Sequence, residues 1–186
     1  GMLFFHKMGL GKSLLAMLIC RILARDIIFI SAKTLHNNFR ETLEKYEKIT
    51  GEEYKPDIKY VALNASNMMD QVNHATLTDL EVMLNKNIKM RGSLANKTIV
   101  VDEAHNFFNS IVNGSANAIK LYKAIIKSDC RLLFLTGSPI VNDPFEIAVC
   151  FNMLSGRELF PEQYIQFNNY FLRTDGEKKV IKNMNK

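Results

Sequence analysis

Apolar residues follow two rhythms along this chain. Short apolar runs recur at Met2–Phe5, Ile27–Ile30, Ile58–Leu63, Thr98–Val101 and Leu132–Leu135. Each is too short for a helix, and most lack polar alternation. They predict strands buried on both faces, as in a parallel sheet. Between them, apolar residues fall three and four apart. Leu14, Leu15, Leu18, Ile19, Ile22 and Leu23 do so within Lys12–Ala24. Leu35, Phe39, Leu43 and Tyr46 do so within Thr34–Ile49, which Gly51 closes. Ile119, Tyr122, Ile125 and Ile126 do so within Ala116–Lys127. That spacing predicts helices. Phe145–Leu154 and Glu162–Leu172 read as two more, and Thr78–Asn87 as another inside the polar stretch Asn64–Asn96. Strands alternating with helices predict an α/β domain, mainly parallel sheet with helices on both faces. Thr174–Lys186 reads as a polar, lysine-rich tail or truncated linker, leaving residues 1–173 as the domain.

Composition narrows the class. The chain has 186 residues, 47% of them hydrophobic, enough for one compact core. Charged residues make up 23%, close to the globular average, so disorder is not indicated. A net charge of +5 favours an anionic partner, which nucleotide or nucleic acid would equally satisfy. Cys20, Cys130 and Cys150 stand apart among apolar neighbours without a CxxC pair. They read as buried small hydrophobes in a reducing, intracellular compartment rather than as a disulfide or zinc framework. No apolar stretch approaches the roughly 20 residues that cross a bilayer, so no membrane partner is expected.

The chemistry-bearing residues lie just after strands, where open α/β sheets bind ligands. Gly9-Leu10-Gly11-Lys12-Ser13 follows the first strand and opens the first helix. Glycines let backbone N–H groups wrap phosphates, and a helix start adds unpaired donors and partial positive charge. Lys12 would reach the β- and γ-phosphates, and the Ser13 hydroxyl would ligate magnesium. His6 stands where the full pattern has its first glycine, so this is a shortened form. Asp102-Glu103-Ala104-His105 follows the fourth strand. Asp102 would emerge beside the phosphate loop if the two strands neighbour each other, and would hold magnesium. Glu103 would orient or deprotonate the attacking water. His105 would report nucleotide state through hydrogen bonds. Thr136-Gly137-Ser138-Pro139 ends the fifth strand, and its hydroxyls would bond to the acidic motif.

The series Met8–Ser13, Asp102–His105 and Leu135–Asn142 resembles superfamily 2 helicases, most closely the Snf2-like DNA translocases. Ile28–Leu35 with Asn38-Phe39 looks like that family's motif Ia, although the family carries Pro where Ala32 stands and Trp where Phe39 stands. Asp102–Gly114 and Asn142–Leu172 are similar to helicase-like and early-transcription ATPases of large DNA viruses. The resemblance implies a RecA-like P-loop NTPase lobe that binds ATP and Mg2+, with Lys12 and Glu103 catalytic and His105, Thr136 and Ser138 coupling. It implies nucleic-acid contacts at Lys33 and Thr34, and Thr136–Pro139 points to double-stranded DNA rather than RNA. For a viral chain it implies the host cytoplasm or the virion. Such a helicase closes its ATP site with a second RecA-like lobe, so the chain by itself is expected to bind ATP weakly and hydrolyse it poorly. A second reading is a nucleotide-binding interaction subunit of a viral transcription or packaging assembly, without motor activity. Intact Lys12, Ser13, Asp102 and Glu103 favour the motor.

Overall fold

The computed structural model describes residues 1–7, 9–62, 94–175 and 178–182. The predicted helix at 78–87 lies outside them, as do Met8 and His74. Five strands form one sheet: β1 (Met2–Phe5), β2 (Ile27–Ser31), β3 (Ile58–Ala62), β4 (Thr98–Asp102) and β5 (Arg131–Thr136). Their order is β1-β5-β4-β2-β3, and every pairing is parallel.

Among the described residues six helices accompany the sheet: α1 (Lys12–Leu23), α2 (Lys33–Thr50), α3 (Ala104–Val112), α4 (Ala116–Lys127), α5 (Phe145–Ser155) and α6 (Tyr164–Phe171). Alternate strand residues point to opposite faces, so each unbroken apolar run feeds two cores. Ile27, Phe29, Val100, Leu133 and Leu135 meet Ala16, Met17 and Cys20 of α1 and Phe39 and Tyr46 of α2. Ile28, Ile30, Ile99, Val101, Leu132 and Phe134 meet α3 through α6, with Phe107, Phe108, Leu121, Ile125 and Val149 among their partners. The Phe108 and Phe134 rings meet edge to face, 4.9 Å apart. Cys20 and Cys150 are buried in these cores, and burial pushes both thiols up to about 12. Cys130 is only partly buried.

Two elements depart from the sequence expectation. Helix α3 was not predicted: the acidic motif at its start hid an apolar face of Ala104, Phe107, Phe108 and Ile111. The expected tail instead contains strand β7 (Lys178–Ile181), paired antiparallel with β6 (Leu172–Asp175). Its lysines suggested a solvated tail, but a two-stranded ladder is held by backbone hydrogen bonds and tolerates them. Among the described residues no helix is long and apolar enough to cross a membrane.

Candidate functional site

Parallel strands end at one edge, and that edge collects the predicted residues. The loop from β1 to α1 is shaped by its backbone. Gly9 and Gly11 have φ of 80° and 75°, in the left-handed region that favours glycine. A Cβ at either position would meet nothing within 4 Å. Conformation, rather than crowding, therefore selects glycine here. Leu15 N–H donates to Gly11 O at 3.0 Å, the first bond of α1. The amides of Lys12, Ser13 and Leu14 precede it, and no side chain caps this end. Donors and dipole together suit an anion.

Lys12 is only 7% exposed. Its Nζ donates to the carbonyls of His6 at 3.0 Å and Lys7 at 3.3 Å. The ammonium is thus folded back over its own loop, a desolvated cation held by two neutral acceptors. Leu10 stands out from the loop, 65% exposed.

Strand β5 lies between β1 and β4, so the strands carrying the phosphate loop and the acidic motif are not neighbours. That corrects the condition attached to Asp102 above: β4 reaches the loop across β5. The charges still sense each other. Burial pushes the Asp102 carboxyl above its ordinary range, opposed first by the Glu103 N–H. The Glu103 charge reinforces the rise, while Lys12 and His105 oppose it. Glu103 N–H donates to Asp102 Oδ1 at 3.0 Å.

Glu103 turns the chain from β4 into α3 with φ 47° and ψ 51°, left-handed for a residue with a Cβ. Such a conformation costs about 1–2 kcal/mol and tends to persist where surroundings over-determine it. It places Glu103 Oε2 at 3.3 Å from His105 Nδ1. His105 Nδ1 also lies 2.9 Å from Thr136 Oγ1. The Thr136 hydroxyl donates to Ser138 O at 3.1 Å and accepts from Ser138 N–H at 3.1 Å. One hydroxyl carries one proton, so a proton on His105 Nδ1 satisfies Thr136 and Glu103 together. Ser138 joins this chain through its backbone. Thr136 itself is fully buried.

Lys33 and Thr34 open α2 after β2, which pairs with β4, so their turn shares the same sheet edge. Thr34 is exposed, and the Lys33 side chain lies outside what the structure describes. Three residues near the site were given no role by sequence reasoning: Asn109, Asn142 and the fully buried Glu146. The one available signal was an acid in the first turn of a predicted helix, which ordinarily reads as a dipole partner.

The sequence profile of the SNF2-related domain family matches residues 1–186, the whole chain. The chain belongs to the SNF2-related domain family. As an SNF2-related domain it is 38% identical over 183 residues to a termination factor NPH-I homolog of African swine fever virus, covering 90% of this chain and 24% of that protein. It is 25% identical over 187 residues to an early transcription factor 70 kDa subunit of Melanoplus sanguinipes entomopoxvirus, covering 99% of this chain and 26% of that protein. It is 24% identical over 172 residues to a putative ATP-dependent RNA helicase of Acanthamoeba polyphaga mimivirus, covering 92% of this chain and 32% of that protein. The SNF2-related domain thus spans about a quarter to a third of these viral relatives.

Proposed function

We propose that this chain is the ATP-binding lobe of a nucleic-acid-dependent ATPase, a DNA helicase or translocase. The observation that carries the reading is the gathering of Lys12, Asp102, Glu103, His105 and Thr136 at one sheet edge, with the Lys12 charge acting on Asp102. Relatives named as a termination factor NPH-I homolog and a putative ATP-dependent RNA helicase add support for ATP use and a nucleic-acid partner.

In this reading the amides of Gly9, Leu10 and Gly11 cradle the phosphates of ATP. Lys12 exchanges its two loop carbonyls for β- and γ-phosphate oxygens, its charge already in place. The Ser13 hydroxyl and Asp102 carboxylate are hard oxygen donors, and one or two such ligands are what magnesium takes from protein beside phosphates. Burial that opposes charge on Asp102 makes a cation there favourable. Magnesium, when bound, neutralises charge on the phosphate oxygens. Glu103 orients the attacking water and accepts its proton. His105 links Glu103 to Thr136, so a change at the water is felt at the turn holding Ser138. Lys33 and Thr34 meet the nucleic-acid backbone, double-stranded DNA in this reading. A second RecA-like lobe completes the site, its arginine contributing about 10³- to 10⁵-fold in rate.

The test is ATPase turnover of the full-length protein alone and with double-stranded DNA, single-stranded DNA or RNA. Double-stranded DNA is expected to stimulate most. Turnover indifferent to all three would sink the motor.

A further inference from the structure

Helix α4 distributes its charge unevenly. It carries Lys120, Lys123 and Lys127 and no acid. The three lysines stand three and four positions apart and are all exposed, so they form one ridge. Like charges at that spacing repel and weaken a helix. Among the described residues neither Lys123 nor Lys127 takes part in an ion pair. An anion lying along the ridge would relieve the repulsion.

The ridge borders an apolar groove. Ile119 on α4 and Phe145, Ala148 and Val149 on α5 line it, with exposed Lys123 at one lip and exposed Glu162 at the other. Its volume of about 270 Å³ falls below the roughly 300–1,000 Å³ of small-molecule sites. It suits inserted side chains rather than a whole cofactor. The far lip is fixed from below by Asn152, which is fully buried on α5. Its Oδ1 accepts from the Leu159 and Phe160 amides at 2.8 and 2.9 Å. Its Nδ2 donates to Phe160 O at 2.9 Å and to Tyr122 Oη at 3.3 Å. The Tyr122 hydroxyl donates on to Glu162 Oε1 at 3.5 Å. These bonds tie residues 159–162 to α4 and α5, so the groove is formed before anything enters it, which lowers the cost of binding.

We infer that the groove between α4 and α5 docks an acidic amphipathic helix of a partner protein. Apolar side chains of that helix enter beside Ile119 and Val149, and its carboxylates meet Lys123 and Lys127. Nucleic acid fits this surface less well. Phosphates have no use for an apolar floor, and the nearby rings of Tyr122 and Phe145 are buried, leaving no exposed face for base stacking. The groove also lies on the opposite face of the sheet from α2, which carries Lys33 and Thr34. The inference goes beyond the ATPase reading and does not rest on it.

The experiment titrates the full-length protein into a fluorescent peptide of about 15 residues, with leucines three and four apart among glutamates, and reads anisotropy. Wild type is expected to bind this peptide and to bind a scrambled peptide of the same composition at least about tenfold more weakly. Lys123→Glu lies on the exposed lip and leaves the fold intact, yet weakens the peptide about tenfold. A counterpart peptide with lysines for glutamates gains about tenfold on Lys123→Glu relative to wild type. Ile119→Ala weakens the original peptide about fivefold. ATP turnover without nucleic acid is unchanged in both variants. Failure of wild type to bind the peptide, equal binding of the scrambled peptide, or undiminished binding to Lys123→Glu overturns the inference. Double-stranded DNA that displaces the peptide and is itself weakened by Lys123→Glu assigns the ridge to nucleic acid and overturns it as well.

Discussion

The phosphate loop owes its shape to backbone freedom, whereas the cluster at the ends of β4 and β5 owes its shape to side chains reaching across the sheet. Gly9 and Gly11 are permitted by missing side chains and have empty space around the places a Cβ would fill. Glu103 takes up the same left-handed region with a side chain, held there by Asp102 on one side and the start of α3 on the other. The first region stores little energy. The second stores strain and transmits position. The proposed nucleotide site needs both: a cradle for the phosphates, and a stiff array that registers what has happened to them.

Substitutions can break this contrast in graded ways. The largest effects fall on turnover: Lys12→Ala removes the loop's cation and should lower it about 10²-fold or more in a steady-state assay. Glu103→Gln should lower turnover about 10²- to 10⁴-fold while leaving ATP affinity intact, as read by equilibrium binding beside single-turnover kinetics. Glu103→Gly should be equally inactive and yet more stable than wild type by about 1 kcal/mol in chemical denaturation, because it relieves the left-handed strain. Gly11→Ala should show the opposite sign, losing about 1–2 kcal/mol to the same backbone term. A Gly11→Ala protein as stable as wild type would erase the distinction between the regions.

The smallest effect is electrostatic. An acid whose folded pKa lies above its ordinary value favours folding at low pH, and that advantage is lost as pH rises through the folded value. Asp102 is such a group. Asp102→Asn should therefore melt higher than wild type at neutral pH, with the gap closing below about pH 4, where the carboxyl is protonated in both states.

Most strands and helices were legible because the sheet is buried on both faces, so its runs stand out as apolar throughout. The glycine turn into α1 was legible for a related reason: its residues are contiguous, from Gly9 to Ser13. The neighbourhood of Asp102 was harder. Nothing local tells that β5 would insert between β1 and β4, since strand order is a property of crossovers and not of any one segment. The contact between His105 and Thr136 spans 31 positions, and that between Asn109 and Asn142 spans 33. Only the first was anticipated, because a histidine beside the acidic pair and a strand-end hydroxyl had been given hydrogen-bonding roles, whereas Asn109 and Asn142 had been given none. Glu146 resembled an ordinary helix-start acid, and its burial could be learned only from the fold.

The central claim is that the two regions form one magnesium–ATP site. Equilibrium ATP binding by the full-length protein, with and without magnesium, for wild type and Asp102→Asn, tests it most directly. The account predicts that magnesium tightens ATP binding to wild type and that Asp102→Asn loses most of this gain while still binding ATP through the loop. An Asp102→Asn protein with an undiminished magnesium dependence would contradict it.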